Sequence, residues 1–152
     1  WLRENGWQDI IDYLNSIGYK VVLTQKEPNK FKNVIDMTGD RPIQDAINLI
    51  YNCEFFIGLA SGLAWVAWIL KKKVIMIAGF TEEFTEFHEN HYRVMNKNVC
   101  HGCWNDPKAY PFDKGDWWWC PRLKGTDRHF ECSKQISAEN VIDIINKVRT
   151  VQ

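Results

Sequence analysis

Four cysteines in the last third of the chain have the side-chain type and the spacing of a metal site. Cys100 and Cys103 form a C-x2-C pair, Cys120 follows after sixteen residues, and Cys132 follows after eleven more. A C-x2-C turn places two thiolates on one tetrahedral metal ion, and two later cysteines complete a four-sulfur site. The spacing predicts a bound zinc or iron ion, and disulfides or free thiols are the alternative.

The segment that carries these cysteines, at about 98–133 and called the cysteine finger below, has little apolar sequence from which to build a core. Such a segment needs a staple, and a metal ion would supply it. Three consecutive tryptophans, Trp117 to Trp119, precede Cys120. We expect them to pack within the finger or to form a subunit contact, in preference to stacking on a sugar. The fifth cysteine, Cys53, ends an apolar helical pattern and is interpreted as a small core residue.

The second candidate site is the junction from Gly58 to Leu63, between an apolar strand and a helix. Ser61 is placed to cap the helix, and Gly62 lets a ligand approach the backbone closely. The free amides and the positive end of the helix dipole would face an anion. The junction therefore predicts a phosphate site, and an ordinary capped turn is the alternative.

Loops after other predicted strands are expected on the same rim, because ligands of open α/β sheets bind beyond the carboxyl ends of the strands. Lys26 is a candidate phosphate contact, and Asp40 is a candidate acceptor for a ribose hydroxyl. Phe80 is a candidate stacking residue for a sugar or a base. The plainer alternatives are solvated loop positions for the two charged residues and a packing role for Phe80. The histidines and paired carboxylates show no nucleophile–base arrangement.

The elements that must position these residues alternate between helix and strand. Apolar residues at helical spacing predict helices at about 7–17, 42–50, 62–70 and 138–149, the last capped by Ser137. Apolar runs predict strands at 20–24, 33–37, 54–59 and 74–78, and a short helix at 81–87 and a strand at 92–95 are also expected. Continuous apolar strands between helices predict a parallel α/β sheet covered on both faces. Only eight residues, 25–32, join the first two strands, which favours an irregular crossover or a displaced strand.

The bulk composition excludes several classes of protein. The 152 residues carry 19 basic and 19 acidic side chains, so the chain has neither the basic surplus of a nucleic-acid binder nor a polybasic membrane tail. No apolar stretch approaches the roughly 20 residues of a membrane span, and no signal-peptide pattern is present. The length predicts a single domain, 1–152. Because the chain begins at Trp1 without a Met, it is expected to be a fragment.

Taken together, these motifs resemble the bacterial autotransporter heptosyltransferases. The similarity covers most of residues 36–133, and it rests on the segments 36–42, 58–68, 79–80, 92–94, 100–105, 120–122 and 130–133. The cysteine set is its most specific part, because ordinary lipopolysaccharide heptosyltransferases lack it.

The resemblance implies a Rossmann-like α/β fold, the C-terminal half of a GT-B type glycosyltransferase, with the cysteine finger as a small insertion. It implies that this half binds the nucleotide-sugar ADP-heptose. The matched donor contacts are Ser61, Gly62 and Leu63 at the diphosphate, Thr38 and Gly39 near the adenosine, and Gln25 and Lys26 after the first strand. The implied cofactor is an iron ion, with zinc as the alternative, held by Cys100, Cys103, Cys120 and Cys132.

The implied reaction transfers heptose to serine of autotransporter proteins in the cytoplasm, and the enzyme assembles into homo-oligomeric rings. The catalytic base is expected in an N-terminal domain outside this chain, so the fragment alone is expected to be inactive. Lipopolysaccharide heptosyltransferases have an Asp where this chain has Ala60, which leaves the identity of the sugar open. The main alternative is a non-catalytic, metal-stapled oligomerisation or binding module. A disulfide-stapled secreted domain is a third hypothesis, which the parallel α/β pattern disfavours.

Overall fold

The computed structural model describes residues 1–108 and 110–150, and its helices and strands alternate. The helices are α1 (Gly6–Ser16), α2 (Ile43–Asn52), α3 (Gly62–Ile69), α4 (Glu131–Lys134) and α5 (Ala138–Thr150). The strands are β1 (Val22–Leu23), β2 (Ile35–Asp36), β3 (Phe55–Leu59), β4 (Lys73–Ile77) and β5 (His91–Val94). Two single 3-10 turns lie at Glu83–Thr85 and Cys103–Asn105. Within these described residues, no helix combines the length and the apolarity that crossing a bilayer requires.

The strands pair in parallel, as the apolar runs predict. β4 lies between β3 and β5, and Leu59 stands opposite Ile77 where β3 and β4 end. β1 and β2 form a separate parallel pair. Residues 24–34, which connect them, contain no helix, so the irregular crossover is the correct alternative. Because β3 and β4 end side by side, the loops that follow them leave the sheet at the same edge.

The core lies on both faces of β4, which explains why this strand is apolar throughout. Successive side chains of a strand point to opposite faces. Ile75 and Ile77 therefore pack with residues of α1 and α5, while Val74 and Met76 pack with residues of α2 and α3. Cys53 is half-buried against the second of these cores. The predicted parallel α/β fold with both faces covered is confirmed.

Three local predictions have different outcomes. The helix expected at 81–87 is only a 3-10 turn, because Glu86 turns inward to a buried ion pair with Arg93. The cap of α5 is confirmed, since the amide of Asn140 donates to the hydroxyl of Ser137 at 3.3 Å. The cap of α3 is wrong, since the side chain of Ser61 makes no capping hydrogen bond. The short helix α4 was not predicted.

Candidate metal centre and candidate ligand rim

The four cysteines of the finger converge on one small cavity of about 10 Å³. Cys100 and Cys103 flank a tight turn in which Gly102 adopts a φ of +69°. Cys132 reaches the cavity from α4, and Cys120 reaches it from the loop between. The volume holds about one water-sized sphere, which suits a single ion. The other residues that line the cavity are Gly79, Phe80, Trp119, Leu123, Phe130 and Glu131.

Burial makes two thiols of this cavity, those of Cys103 and Cys132, weak acids on their own. Burial first, and then the neighbouring Cys100, raise the pKa of Cys103 to about 12. Burial, followed by the proximity of Cys120 and Cys100, raises the pKa of Cys132 to about 11. Thiolates gathered here therefore need a cation beside them, and a bound metal ion meets that need.

The residues present fit a thiolate-bound metal. All five cysteines are free thiols, so the structure contains none of the disulfides of the alternative prediction. Four soft sulfur donors suit zinc or iron. Across 1–108 and 110–150, no three His, Cys, Asp or Glu side chains already form a ligand group for an ion. Binding would have to draw the sulfurs of the cavity inward.

Two arginines and a glutamate brace the cavity, and the sequence predictions did not include them. Arg122 donates to Sγ of Cys100 at 3.8 Å and to the carbonyl of His101 at 3.2 Å. The buried Glu131 accepts from the amide of Cys100 at 2.8 Å and from Arg128 on both carboxylate oxygens at 2.7 Å. Arg128, and then the Cys100 amide, lower the pKa of Glu131. Their closeness to the cysteines in the sequence could have indicated this role, because Arg122 and Glu131 stand within two residues of finger cysteines.

An aromatic cluster takes the place of an aliphatic core in the finger. The ring of the buried Trp119 lies 5.5 Å from that of Phe80 and 5.4 Å from that of Phe112. Phe80 also contacts Trp104, with 5.6 Å between ring centroids. Packing is therefore the role that the structure gives to Trp119 and Phe80. Trp117, by contrast, is 94% exposed.

At the ligand rim, the loops after β1 and β2 are joined to each other. The amide of Gly39 donates to the carbonyl of Gln25 at 3.0 Å. Lys26 pairs with Asp40 at 3.6 Å, and these side chains are 78% and 92% exposed. The structure thus brings together the residues that follow the first two strands, and it leaves their charges in solvent.

Thr38 is held in the same cluster by a short local turn. Its amide and its hydroxyl both donate to Asp36, at 2.9 and 2.7 Å. These two bonds lower the pKa of Asp36. The side chain of Arg41 donates to the carbonyl of Thr38 at 3.3 Å. The turn therefore has a defined shape without support from the core.

The loop after β3 forms the second part of the rim. Ser61 and Gly62 are exposed, and Leu63 is half-buried. The amides of Ala64 and Trp65 donate to the carbonyl of Ser61, whereas those of Gly62 and Leu63 belong to the first turn, which has no acceptor within the helix. A Cβ atom at Gly62 would meet nothing within 4 Å, so the approach is open. Among the described residues, no hydrogen bond or ion pair ties this loop to the β1–β2 cluster.

Comparison with known proteins gives this arrangement a context. No protein-family model matches the chain. TibC, an autotransporter heptosyltransferase of Escherichia coli O78:H11, is 38% identical over 97% of this chain and 38% of its own length. The Escherichia coli autotransporter heptosyltransferase Aah is 35% identical over 99% of this chain and 40% of its own length. BimC of Burkholderia thailandensis, an inactive autotransporter heptosyltransferase, is 32% identical over 97% of this chain and 36% of its own length.

The chain is thus homologous to a segment of the autotransporter heptosyltransferases, and it spans about two fifths of the length of these relatives. Its parallel α/β fold matches part of the fold of the glycosyltransferase TibC. A solved structure of TibC, a dodecameric iron-containing heptosyltransferase in complex with ADP-D-beta-D-heptose, matches it with a TM-score of 0.90. That match is 39% identical and covers 98% of this chain and 41% of the TibC chain.

Proposed function

We propose that this chain is the donor-binding part of a heptosyltransferase that moves heptose from ADP-heptose to serine of autotransporter proteins. The observation that carries the proposal is the exposed, uncapped N-terminus of α3 at the end of β3, in a chain homologous to a protein solved with ADP-D-beta-D-heptose. An open helix N-terminus of this kind attracts a diphosphate.

In the proposed reaction, the bond between the anomeric carbon and the phosphate oxygen breaks, and the serine oxygen bonds to that carbon. Negative charge builds on the departing ADP. Amides of Ser61, Gly62 and Leu63 would stabilise that charge, and one good donor of this type contributes about 3 kcal/mol in comparable sites. The base that takes the serine proton is proposed to lie outside this chain, so the chain by itself is proposed to be inactive.

Residues after β1 and β2 are proposed to hold the nucleoside end of the donor. Thr38 and Gly39 would contact the adenosine, while Gln25 and Lys26 would supply further donor contacts. Tyr19 supports a shared rim, because its hydroxyl donates to Glu54 at 2.8 Å and so brings the start of β1 beside the start of β3. In this proposal Lys26 leaves its exposed ion pair with Asp40 and contacts the bound donor instead.

The four finger cysteines are proposed as ligands of one structural iron ion, with zinc as the alternative. When bound, the ion would hold the finger in its fold and would take no part in sugar transfer. The iron-containing relative and the cavity shared by the four thiols support this assignment. Arg122 would offset the charge of the sulfurs.

A homo-oligomer in the cytoplasm is the proposed working form. Trp117 is almost fully exposed on the finger, and large exposed aromatic residues are typical of protein contacts. TibC, which shares this fold, is dodecameric. Free thiols and a thiolate-bound ion both suit a reducing compartment.

Calorimetric titration with ADP tests the proposal. We expect saturable binding by the parent and a loss of binding in Ser61→Asp, because the added carboxylate repels phosphate at the start of α3. Ser137→Asp is the matched control, since it places the same charge at the start of another helix, α5, where Ser137 already caps Asn140. Equal ADP affinity in the parent and in Ser61→Asp would refute the phosphate site.

A non-catalytic assembly module is the second candidate function. The inactive relative BimC favours it, because homology to these proteins does not by itself establish activity. This candidate predicts self-association that depends on the metal, together with no affinity for ADP. Light scattering before and after metal removal measures the first property, and an unchanged monomer mass would exclude the module.

A further inference from the structure

The loop after β4, residues 79–86 and here called the rim loop, lies between the two candidate sites. It follows Ile77, which pairs with Leu59 of the α3 junction. Gly79 and Phe80 also line the cysteine cavity. The rim loop therefore leaves the sheet beside the strand that leads into the proposed donor site, and its first residues contact the cysteine finger.

The finger binds the first part of the rim loop through backbone hydrogen bonds. The amide of Gly102 donates to the carbonyl of Gly79 at 2.9 Å, and the amide of Trp104 donates to the carbonyl of Phe80 at 3.2 Å. A Cβ atom at Gly79 would overlap the backbone of Cys132. The C-x2-C turn and α4 thus both lie against the beginning of the loop.

Asn105 of the finger makes two hydrogen bonds to the middle of the rim loop, where Nε2 of His101 also lies 3.7 Å from the carboxylate of Glu82. The carboxamide oxygen of Asn105 accepts from the amide of Glu82 at 2.7 Å and from the hydroxyl of Thr85 at 3.1 Å. Asn105 lies two residues after Cys103 and ends the 3-10 turn that this cysteine begins. Its position therefore depends on how the cysteine turn is folded.

The sheet holds the end of the rim loop through a buried ion pair. Arg93 on β5 donates to Glu86, and it also donates to the carbonyl and the hydroxyl of Thr81. The side chains of Arg93 and Glu86 are only 6% and 4% exposed. Thr81 in turn donates its hydroxyl to Glu86 at 2.8 Å. Arg93 thus anchors Thr81, near the start of the loop, and Glu86, at its end, without any residue of the finger.

We propose that the rim loop transmits the folded state of the cysteine finger to the donor site, and that Asn105 is the positioning residue of this link. The inference rests on the proposed donor site at the α3 junction. Arg93 holds the loop from the sheet, and Asn105 holds its middle by hydrogen bonds to Glu82 and Thr85. The loop therefore has a single arrangement while the finger is folded. When the Asn105 hydrogen bonds are lost, residues 82–85 lose this contact with the finger and can shift relative to the donor rim, while Arg93 still holds Thr81 and Glu86.

The test uses the intact, metal-loaded polypeptide that carries this segment, with ADP as the probe. Asn105→Ala removes these hydrogen bonds, and Asn105→Asp keeps an acceptor oxygen at the same place. Asn96→Ala is the matched control, because it removes two hydrogen bonds that do not involve the rim loop, one to the carbonyl of Gln135 at 3.1 Å and one from the amide of Asn98 at 3.0 Å. Each variant is measured for ADP affinity, metal content and hydrogen exchange of residues 79–86.

We expect Asn105→Ala to keep its metal, to exchange the rim-loop amides faster and to bind ADP at least about fivefold more weakly, which is the lower range of site-to-site coupling. Asn105→Asp and Asn96→Ala should bind ADP like the parent. A parent that binds ADP, with an Asn105→Ala variant that binds equally well, overturns this inference and leaves the proposed function standing. A parent that does not bind ADP overturns both. Metal loss in Asn105→Ala also overturns the inference, because Asn105 would then merely hold the finger together.

Discussion

The ligand rim and the cysteine finger are built in opposite ways. At the rim, Thr38 bonds to Asp36 two residues away, and Lys26 pairs with Asp40 in solvent. In the finger, the amide of Cys100 bonds to a glutamate 31 residues away, at the edge of a cavity lined by four thiols. The turn at Thr38 is therefore shaped locally and the charges of the rim stay in solvent, whereas the finger is shaped by buried contacts between distant parts of the chain.

The rim and the finger should tolerate different substitutions. The candidate anion site of the rim consists of backbone amides, so many of its side chains can change without altering it. The finger places charged and ionisable groups in buried positions, where removing one partner leaves the other unsatisfied. We therefore expect stability to be sensitive in and around the finger and ligand affinity to be sensitive at the rim.

Removing a finger cysteine should have the strongest effect. Cys120→Ser should abolish most metal binding and unfold the finger, since apparent binding free energies of structural four-ligand sites are on the order of 10 kcal/mol. Elemental analysis with visible spectroscopy measures this, and the parent should show about one iron per chain with thiolate-to-iron absorption bands. Cys53→Ser is the matched control and should keep its metal. A fully loaded Cys120→Ser variant would contradict the four-cysteine site.

Breaking the buried ion pair under the rim loop should come next. Arg93→Met leaves the carboxylate of Glu86 buried and unpaired, which typically costs about 3–5 kcal/mol. Lys97→Met is the control, because its pair with Glu83 is 60% and 57% exposed and such pairs contribute only about 0–1 kcal/mol. Unfolding in urea gives both free energies. Equal losses in the two variants would show that burial does not distinguish these pairs.

Adding one methyl group at the contact between sheet and finger should have an intermediate effect. Gly79→Ala forces a Cβ atom into the backbone of Cys132, and overpacking of this kind costs about 1–3 kcal/mol. Gly62→Ala at the rim meets open space, so its unfolding free energy should stay close to that of the parent. Thermal unfolding compares them. A Gly79→Ala variant as stable as Gly62→Ala would disprove the close approach.

The weakest effect concerns pH and a histidine of β5. The pKa of His91 lies below its usual value of 6.5, and burial is the largest cause. The carbonyl of Phe87 and the carboxylate of Glu86 raise this pKa, whereas the positive charges of Arg93 and His88 lower it further. Nε2 of His91 is buried and has no hydrogen-bond partner in the described part of the chain. The unfolded chain therefore takes up a proton at a higher pH than the folded chain does. Neutral His91 therefore contributes its full share to the free energy of unfolding above about pH 6.5, and this contribution falls as the pH decreases below that value.

Denaturant unfolding between about pH 7.5 and 5.5, the range in which histidine titrates, measures how the free energy of unfolding changes with pH. His91→Gln should lose stability less steeply than the parent as the pH falls, because its side chain does not titrate. The same pH slope in the parent and in the variant would show that His91 does not contribute to it.

Much of the fold follows from patterns that are local in the sequence. The helix at 138–149 and its serine cap were predictable because a period of 3.6 and a capping residue act within a few positions. The apolar run at 74–78 likewise predicted a strand with both faces buried. Ser61 shows where this reasoning fails, because its type suits a cap but the local backbone leaves its hydroxyl without that bond.

By itself, the sequence determined the alternation of helices and strands, the C-x2-C turn and the strand-to-helix junction before α3, because each depends on neighbouring residues. Only the tertiary structure decided that Arg93 and Glu86 pair beneath the rim loop, that Glu131 receives the amide of Cys100, and that Phe80 packs in the finger. These contacts join residues that are far apart in the chain or buried together by the fold. The free energy of such a contact depends on burial and distance in space, and neither can be read from a residue and its neighbours.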